Sequence, residues 1–311
     1  MTAHSNDLGR NPDRRGWARP CADQPVELGA RLCLSLAAAL WAATAALGAP
    51  PESLFPPWAG REEAIEMVLL QGELVGRERV GHGVTNPWRV TLQYRGETLD
   101  AIWKPLPEAE RAGYQESHRA EVGAYRLSRY LGLDLVPPTV QRWISGRGGS
   151  MQLWVDDCRL YSDVMGKERP PLLAWSEQMA RMRLFDVLID NPDRNARNFL
   201  VDDQWRLILI DHSRALSLPA LTERRPRRKT APLPARFDRD LVEAARGLDL
   251  EILEALLGDL YGGAELRTLL RQRDALLRAA EAAREQHGDS AFFSVAGTAR
   301  RQAAGSEGAP R

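Results

Sequence analysis

The most informative segment of the chain is Leu184–Ser217, with the sequence LFDVLIDNPDRNARNFLVDDQWRLILIDHSRALS. Apolar residues at helical spacing lead into a polar turn that contains Asp193, and Asn198 follows five residues later. A short hairpin comes next, and the apolar run Leu207–Ile210 has the composition of a buried strand. This strand delivers Asp211 at its end, thirteen residues after Asn198. The order of helix, loop, hairpin, strand and terminal aspartate is more specific than any one of its parts.

A carboxylate, an amide and a second carboxylate at these spacings are what a magnesium-dependent phosphoryl-transfer site needs. Asp193 would orient an attacking hydroxyl group, while Asn198 and Asp211 would hold the metal against the nucleotide phosphates. Aspartate, asparagine and arginine are also common in plain turns, because their side chains hydrogen-bond their own backbone. A lone NPDRN sequence would indicate such a turn, but the full order of elements favours phosphoryl transfer.

The loop also resembles a known family. Asp193–Asn198, DRNARN, resembles the D-R-H-x-x-N catalytic loop of phosphoinositide-type kinases. It is similar to the loops of HipA-like kinases and of the secretory-pathway casein-kinase family, which are distant relatives of protein kinases. Ile210–Ser213, IDHS, occupies the place of their D-F-G-like metal motif. Two departures are visible, because Asn195 replaces the loop histidine and Ser213 replaces the glycine after the metal aspartate.

A kinase site also needs a lysine on the α- and β-phosphates, and Lys104 is the candidate. Arg89–Tyr94 and Thr98–Trp103 read as two strands around a tight turn, and Lys104 ends the second strand. Pro105 follows, and proline cannot continue a central strand. The chain has 39 arginines but only three lysines, so a lysine here indicates a need for a compact ammonium group. The alternative is a chance lysine at an exposed strand end.

The lysine should have a glutamate partner on the following helix. The segment Gly113–Leu131 has apolar residues on one helical face, at positions Ala120, Ala124, Leu127 and Leu131. Glu121 lies next to that face and is the predicted partner. Glu116 is the reserve candidate, five residues away on another face. An ordinary solvated glutamate is the alternative interpretation.

Two further parts of a nucleotide site are predicted from position. Gly81 and Gly83 flank a short turn about twenty residues before Lys104, where backbone N–H groups could cover phosphates. Taken alone, a G-x-G turn is a weak signal. Thr139–Ile144 and Ser150–Val155 read as another hairpin, and residues 156–158 would then form the hinge beside the adenine.

Length and composition agree with one α+β unit of two lobes, which is the protein-kinase-like fold that the resemblance implies. The chain has 311 residues, and its 44% apolar content is enough for a substantial core. We predict an N-terminal tail over residues 1–55, a β-rich N-lobe over 56–156, a helical C-lobe over 157–290 and a disordered tail over 291–311. The C-terminal part would contain helices Asp238–Leu257 and Ala264–Gln286. ATP would bind between the lobes.

The N-terminal tail contains Leu32–Gly48, an almost charge-free run rich in alanine. Its length is near the minimum that spans a bilayer, and small residues suited to signal cleavage lie at its end. Three interpretations stay open: a signal peptide with a start codon placed too early, a marginal membrane anchor, or an alanine-rich helix. The predicted localisation is membrane-anchored or exported, with a cytoplasmic protein as the alternative.

Other classes of protein receive little support. The formal net charge is zero, so no global attraction to nucleic acid is expected. The basic run Arg224–Lys229 has no interleaved aromatic residues, and it reads as a solvated loop after the metal aspartate. Three scattered cysteines form no disulfide framework or zinc motif.

The resemblance thus implies ATP and Mg²⁺ or Mn²⁺ as cofactors, with a hydroxyl group as acceptor. A serine or threonine of a protein is the first expectation for that acceptor, and a lipid or small-molecule hydroxyl is the second. A third hypothesis is a pseudokinase that binds nucleotide without catalysis, which the departures at Asn195 and Ser213 would suit.

Overall fold

The computed structural model describes residues 56–80, 87–111, 114–217 and 232–295. The first lobe is built on a five-stranded antiparallel sheet with the strand order β1-β2-β3-β7-β6. Its strands are β1 (Glu73–Arg79), β2 (Trp88–Tyr94), β3 (Glu97–Lys104), β6 (Thr139–Ile144) and β7 (Arg147–Leu153). Between β3 and the next helix lies a separate short hairpin of β4 (Ala109–Arg111) and β5 (Tyr114–Glu116).

The β2–β3 hairpin forms where the sequence predicts it. Val90 and Leu92 alternate into the core, and the turn uses Arg95 and Gly96, both with positive φ. At the far end, Lys104 of β3 pairs with Ser150 of β7. Neighbouring Gly149 is required there, because a Cβ atom on it would lie 2.5 Å from the carbonyl oxygen of Lys104.

Two helices pack on this sheet, α1 (Glu62–Gln71) and α2 (His118–Tyr130). Helix α2 begins five residues later than predicted, because the hydroxyl group of Ser117 caps it by accepting from the N–H of Arg119 at 3.1 Å. The residues before Ser117 form β5 instead of a helical turn. Glu116 therefore lies on a strand, and the sequence-based placement of Glu116 on the helix is wrong.

The second lobe is mainly helical. Its helices are α3 (Tyr161–Val164), α4 (Leu172–Leu188), α5 (Arg239–Arg246), α6 (Leu250–Leu257) and α7 (Gly263–His287). The predicted single helix Asp238–Leu257 is divided in two, because Asp249 starts a new helix by accepting from the N–H of Ile252 at 2.8 Å.

Three short strands form a small sheet at the junction of the lobes: β8 (Cys158–Leu160), β9 (Phe199–Asp202) and β10 (Leu207–Leu209). Strand β10 is the predicted apolar strand that precedes Asp211. At the C-terminal end, β11 (Phe237–Asp238) pairs in parallel with β12 (Phe292–Phe293) after a 3₁₀ turn, Gly288–Ala291. Both phenylalanines of β12 are buried, so ordered packing extends past the predicted boundary at residue 290.

The apolar side chains form two cores. The smaller core lies under the five-stranded sheet and includes Trp58, Leu92 and Met151. The larger core joins buried residues of α2 to those of the helical lobe, among them Phe185 and Leu253. The predicted α+β class with a β-rich lobe and a helical lobe is confirmed. Helix α2 contacts the sheet on one side and the helical lobe on the other.

Several predictions fall on residues outside the described ranges: the Gly81 and Gly83 turn, the basic run Arg224–Lys229 and the apolar run Leu32–Gly48. Within the ranges that are described, every helix is too short or too polar to cross a membrane. The described residues thus show no anchor for the membrane-anchored or exported localisation predicted from Leu32–Gly48, and we withdraw that prediction.

Candidate active site

Lys104 stands at the centre of a cluster where three parts of the chain meet. Its Nζ atom lies 2.6 Å from Oε1 of Glu121 on α2 and 3.2 Å from Oδ1 of Asp211 after β10. The side chains of Lys104 and Glu121 are buried, whereas the side chain of Asp211 is 42% exposed. Two carboxylates thus share one ammonium group, and one of them faces the solvent.

The charges in this cluster stabilise one another. Burial tends to lower the pKa of Lys104, but the carboxylates of Asp211 and Glu121 outweigh burial and raise it above the ordinary value. Lys104 in turn lowers the pKa of Asp211, against the opposing effect of burial. The ammonium group and the Asp211 carboxylate are therefore both charged at neutral pH, so the cluster can bind a further ion without a preceding proton transfer.

Glu121 also fixes the backbone that follows Asp211. Its second oxygen, Oε2, accepts the N–H of His212 at 2.9 Å. A second link joins the N–H of Ser117 to the carbonyl oxygen of Ser213 at 2.9 Å. Asp211 itself has a φ of 58°, in the left-handed region that aspartate tolerates better than most side chains. The position of α2 therefore determines where the Asp211 side chain points.

The loop before β9 contains Asp193 and Asn198, which a hydrogen bond joins. The carbonyl oxygen of Asp193 accepts from Nδ2 of Asn198 at 2.8 Å and from Nδ2 of Asn195 at 2.9 Å. Asn195, which replaces the histidine of the related loops, also accepts the N–H of Arg197 through its side-chain oxygen at 2.9 Å. Asn195 thus closes the turn, which is a role that asparagine fills well.

Arg194 anchors the loop that contains Asp193 and Asn198, and the sequence analysis does not predict it as a site residue. Its side chain is only 8% exposed, and its guanidinium group donates to both carboxylate oxygens of Asp186 on α4. The same group donates to the carbonyl oxygens of Asn198 and Ile210. Arg194 therefore ties the loop, the α4 helix and the strand before Asp211 into one unit. The signal that could have revealed it was Asp186, a carboxylate within the apolar run of α4.

His212 lies under this unit and is fully buried. Burial, followed by the positive charges of Arg194 and Lys104, holds the pKa of His212 well below its ordinary value. Its Nε2 atom lies 2.8 Å from Nη2 of Arg194, so Nε2 is the acceptor and Nδ1 carries the proton. A neutral, buried ring in this place supports the loop and does not contact solvent.

Asp193 has a further neighbour, Arg214, which lies three residues after Asp211. Nη1 of Arg214 is 3.0 Å from Oδ2 of Asp193, and Nε is 2.7 Å from Oε1 of Glu116. Glu116 does not reach Lys104, since its partner is Arg214. The predicted reserve partner of the lysine thus belongs to a second cluster, around Asp193.

The predicted hinge follows β7. Nε1 of Trp154 donates to Oδ1 of Asp156 at 2.9 Å, and Asp157 has a positive φ of 57°. Cys158 then begins β8, and burial, followed by the charge of Asp202, raises the pKa of its thiol to about 11. This short turn connects the five-stranded sheet to the small sheet at the lobe junction.

The residues present fit a divalent metal ion held jointly with phosphates. Asn198 uses its amide N–H on the loop carbonyl, which leaves its oxygen as a ligand, and Asp211 offers a charged carboxylate oxygen. Mg²⁺ and Mn²⁺ favour such hard oxygen ligands. Within the described residues, no cluster of three or more histidine, cysteine or acidic side chains is arranged to hold a metal ion. A metal bound by Asn198 and Asp211 would therefore need phosphate oxygens or water to complete its shell.

Comparison with known sequences gives one relative, while no protein-family model matches the chain. Protein Rv2133c of Mycobacterium tuberculosis is 28% identical over 191 residues, which cover 48% of this chain. The chain spans just under two thirds of that relative, 66% of its length.

Solved structures are similar over a larger part of the chain. The Golgi casein kinase, in a crystal structure with Mn/ADP bound, has a TM-score of 0.53 at 12% identity. The match covers 75% of this chain and 78% of that one. The structure of hydra Fam20 with sugar has a TM-score of 0.53 at 14% identity, covering 74% and 91% of the two chains. At such identities the likeness concerns the fold. The chain has an atypical protein-kinase-like fold, as the resemblance of the loop Asp193–Asn198 predicts.

Proposed function

We propose that this protein is a phosphotransferase that uses ATP and Mg²⁺ or Mn²⁺ to phosphorylate a hydroxyl group. The observation that carries the proposal is the Lys104 ammonium group, held between buried Glu121 and half-exposed Asp211. A phosphate-binding lysine needs a fixed position and a nearby metal-binding carboxylate, and this arrangement supplies both. The fold shared with the Golgi casein kinase supports the same reaction class.

Each residue of the first cluster has a separate task in this proposal. Lys104 binds the α- and β-phosphates as a point charge, and Glu121 holds Lys104 in place. Asn198 and Asp211 hold the metal, which supplies positive charge to the phosphates when it is bound. Gly81 and Gly83 would cover the phosphates from above, and the hinge after β7 would contact the adenine.

Asp193 acts on the acceptor. Its carboxylate accepts a hydrogen bond from the acceptor hydroxyl and orients the oxygen toward the γ-phosphorus atom. The new oxygen–phosphorus bond forms as the bond to the leaving ADP oxygen breaks. The hydroxyl proton then passes to Asp193. The carboxylate is 29% exposed, which lets an acceptor from solvent reach it.

We infer that the acceptor is a serine or threonine of a protein. The casein-kinase likeness supports this choice, and the open position of Asp193 suits an extended substrate. A lipid headgroup or small-molecule hydroxyl is the second candidate, since Asp193 makes no distinction among hydroxyl groups. Asn195 no longer favours the pseudokinase hypothesis, because the Asn195 side chain makes hydrogen bonds that close the loop.

The test is phosphate transfer by purified protein incubated with γ-labelled ATP and Mn²⁺ or Mg²⁺. We expect labelling of the protein itself or of an added protein substrate, and loss of that labelling in Lys104→Met. Label in a lipid or small-molecule fraction alone would identify the second candidate acceptor. Metal-dependent nucleotide binding without transfer or hydrolysis would overturn the enzyme and leave the pseudokinase.

A further inference from the structure

Arg214 contacts Asp193 and is fixed by several other contacts, but the proposed reaction gives it no task. Its Nε and Nη2 atoms both lie 2.7 Å from Oε1 of Glu116, and Nη1 lies 3.0 Å from Oδ2 of Asp193. The carbon at the centre of the guanidinium group lies 4.3 Å from the centre of the Tyr114 ring. One face and both edges of this group are thus occupied by the protein.

The partners of Arg214 come from the β4–β5 hairpin. Tyr114 and Glu116 both lie on β5, and the next residue, Ser117, binds the backbone of Ser213 beside Arg214. Glu116 is only 2% exposed, so its charge is desolvated and needs a cation nearby. Burial tends to lower the pKa of Arg214, but the hydrogen bond to Glu116 and the charge of Asp193 raise it. The guanidinium group is therefore a permanent charge fixed to the first lobe.

We propose that Arg214 is the positioning residue that aims the Asp193 carboxylate, and that the β4–β5 hairpin holds Arg214 for this purpose. The inference rests on the proposed kinase function, because it assigns Asp193 the task of orienting the acceptor. With Oδ2 engaged by Arg214, the other oxygen, Oδ1, faces the acceptor. The hairpin thus links the position of the first lobe to the aim of a carboxylate on the second.

Two other roles for Arg214 fit the contacts less well. A phosphate-binding arginine needs an open guanidinium group, but Nε and Nη2 of Arg214 contact Glu116, Nη1 contacts Asp193 and the Tyr114 ring covers one face. A purely structural ion pair would need only Glu116, whereas Arg214 bridges two carboxylates that lie on different lobes. A fork-shaped guanidinium group can bridge two partners in a fixed geometry, which a single ammonium group cannot do.

The test compares Arg214→Gln with wild type and with a matched control, Arg119→Gln. Arg119 is also partly buried, pairs with Glu108 and lies 5.3 Å from the ring centre of Tyr261, but it does not contact Asp193. We expect Arg214→Gln to lower kcat about 100-fold while changing the KM for ATP by less than about twofold, since a misaimed group loses turnover before binding. The control should keep both constants.

A double variant separates positioning from general support. If Arg214 acts through Asp193, then Arg214→Gln should cause no further loss of kcat in an Asp193→Asn background. Equal losses in both backgrounds, or a raised KM for ATP at unchanged kcat, would overturn the proposal.

One readout does not depend on transfer activity. A crystal structure of Arg214→Gln should show the Asp193 side chain in a different rotamer, with the Lys104–Glu121 pair intact. An unmoved Asp193 would overturn the positioning role, whatever the activity. Absence of transfer in the wild-type protein, with Asp193 displaced in the variant, would overturn the kinase function alone.

Discussion

Two cations among the described residues of the site, Lys104 and Arg214, each stand between two carboxylates. Lys104 lies between Glu121 and Asp211, and Arg214 lies between Glu116 and Asp193. We call these the phosphate side and the acceptor side. In both, one carboxylate is almost fully buried, at 1% and 2% exposure, and the other is more open, at 42% and 29%.

The difference lies in the cation. Lysine is a point charge with three rotatable donors, so Lys104 can exchange a carboxylate contact for a phosphate contact. Arginine is a rigid fork, so Arg214 holds two carboxylates at a fixed separation. The proposed function therefore requires Lys104 to change partners when phosphate binds and Arg214 to keep both of its carboxylates.

The largest expected effect separates the two open carboxylates. Asp193→Asn should lower kcat by about 10²–10⁴-fold, because a positioned base contributes about that much, and should leave the affinity for ATP intact. Asp211→Asn should instead weaken the binding of metal-loaded ATP, since a neutral amide is a poorer ligand for a hard cation. Steady-state kinetics and metal titrations of nucleotide binding measure both. If nucleotide binding depended less on the metal in Asp193→Asn, then Asp193 and not Asp211 would be the metal ligand.

A second prediction concerns Arg194, which bonds both to the loop after Asp193 and to the residue before Asp211. Asp186→Ala would leave the Arg194 charge buried without its main partner, so we expect a loss of about 3–5 kcal/mol in the free energy of unfolding. The matched control is Asp203→Ala, because the side chain of Asp203 is 83% exposed and lies 3.8 Å from Arg159. The control should change by less than about 1 kcal/mol. Denaturant titration measures both, and equal losses would remove the special role of Arg194.

A third prediction exchanges the two cations. Lys104→Arg should abolish the adaptable point charge and lower kcat/KM for ATP, because a guanidinium group does not fit between two carboxylates at ammonium distances. Arg214→Lys should retain one of the two carboxylate contacts and lose the other. A charged hydrogen bond is worth about 1.5–3 kcal/mol, so we expect kcat/KM to fall by about 10–150-fold in each variant.

These two variants should differ in which constant changes. Lys104→Arg should raise the KM for ATP, whereas Arg214→Lys should lower kcat alone. If both variants changed the same constant, the two sides would not have separate tasks and the comparison would fail.

A last expected effect concerns neither side and lies at Cys158, at the lobe junction. Burial raises the pKa of its thiol to about 11 from an ordinary 9.0, so its thiolate should be about 100-fold rarer at neutral pH than in the unfolded chain. Alkylation by iodoacetamide should be slower by a similar factor. Mass spectrometry of a Cys21→Ser/Cys33→Ser variant measures this rate. A rate equal to that of the denatured chain would contradict the burial of Cys158.

The phosphate side follows from the sequence more directly than the acceptor side. Lys104 and Glu121 are 17 residues apart, and a strand followed by a helix brings such residues together by local chain geometry. Asp211 is identified by its place after an apolar strand. These signals depend on periodicity and order, which are visible without a structure. The geometry brings the three predicted residues together, while their roles stay proposals.

The sequence indicates only part of the acceptor side. The spacing to Asn198 predicts Asp193, but the helical pattern places Glu116 on a helix, as a reserve partner for Lys104. The helical pattern of Gly113–Leu131 gave no sign that Ser117 would cap the helix and leave Glu116 on a strand. Arg214 is one of 39 arginines and has no distinguishing local pattern.

The sequence by itself determined the elements that carry the predicted site: a strand that ends at Lys104, a helix with Glu121, and a strand that precedes Asp211. It did so because hydrophobic periodicity and turn chemistry are local properties of the chain. Only the tertiary structure decided which charges pair across the lobes. Arg214 reaches Glu116 over 98 residues, and Lys104 reaches Asp211 over 107. These pairings depend on how α2, the β4–β5 hairpin and the loop after α4 are placed against one another by the two apolar cores, and no local pattern encodes that placement.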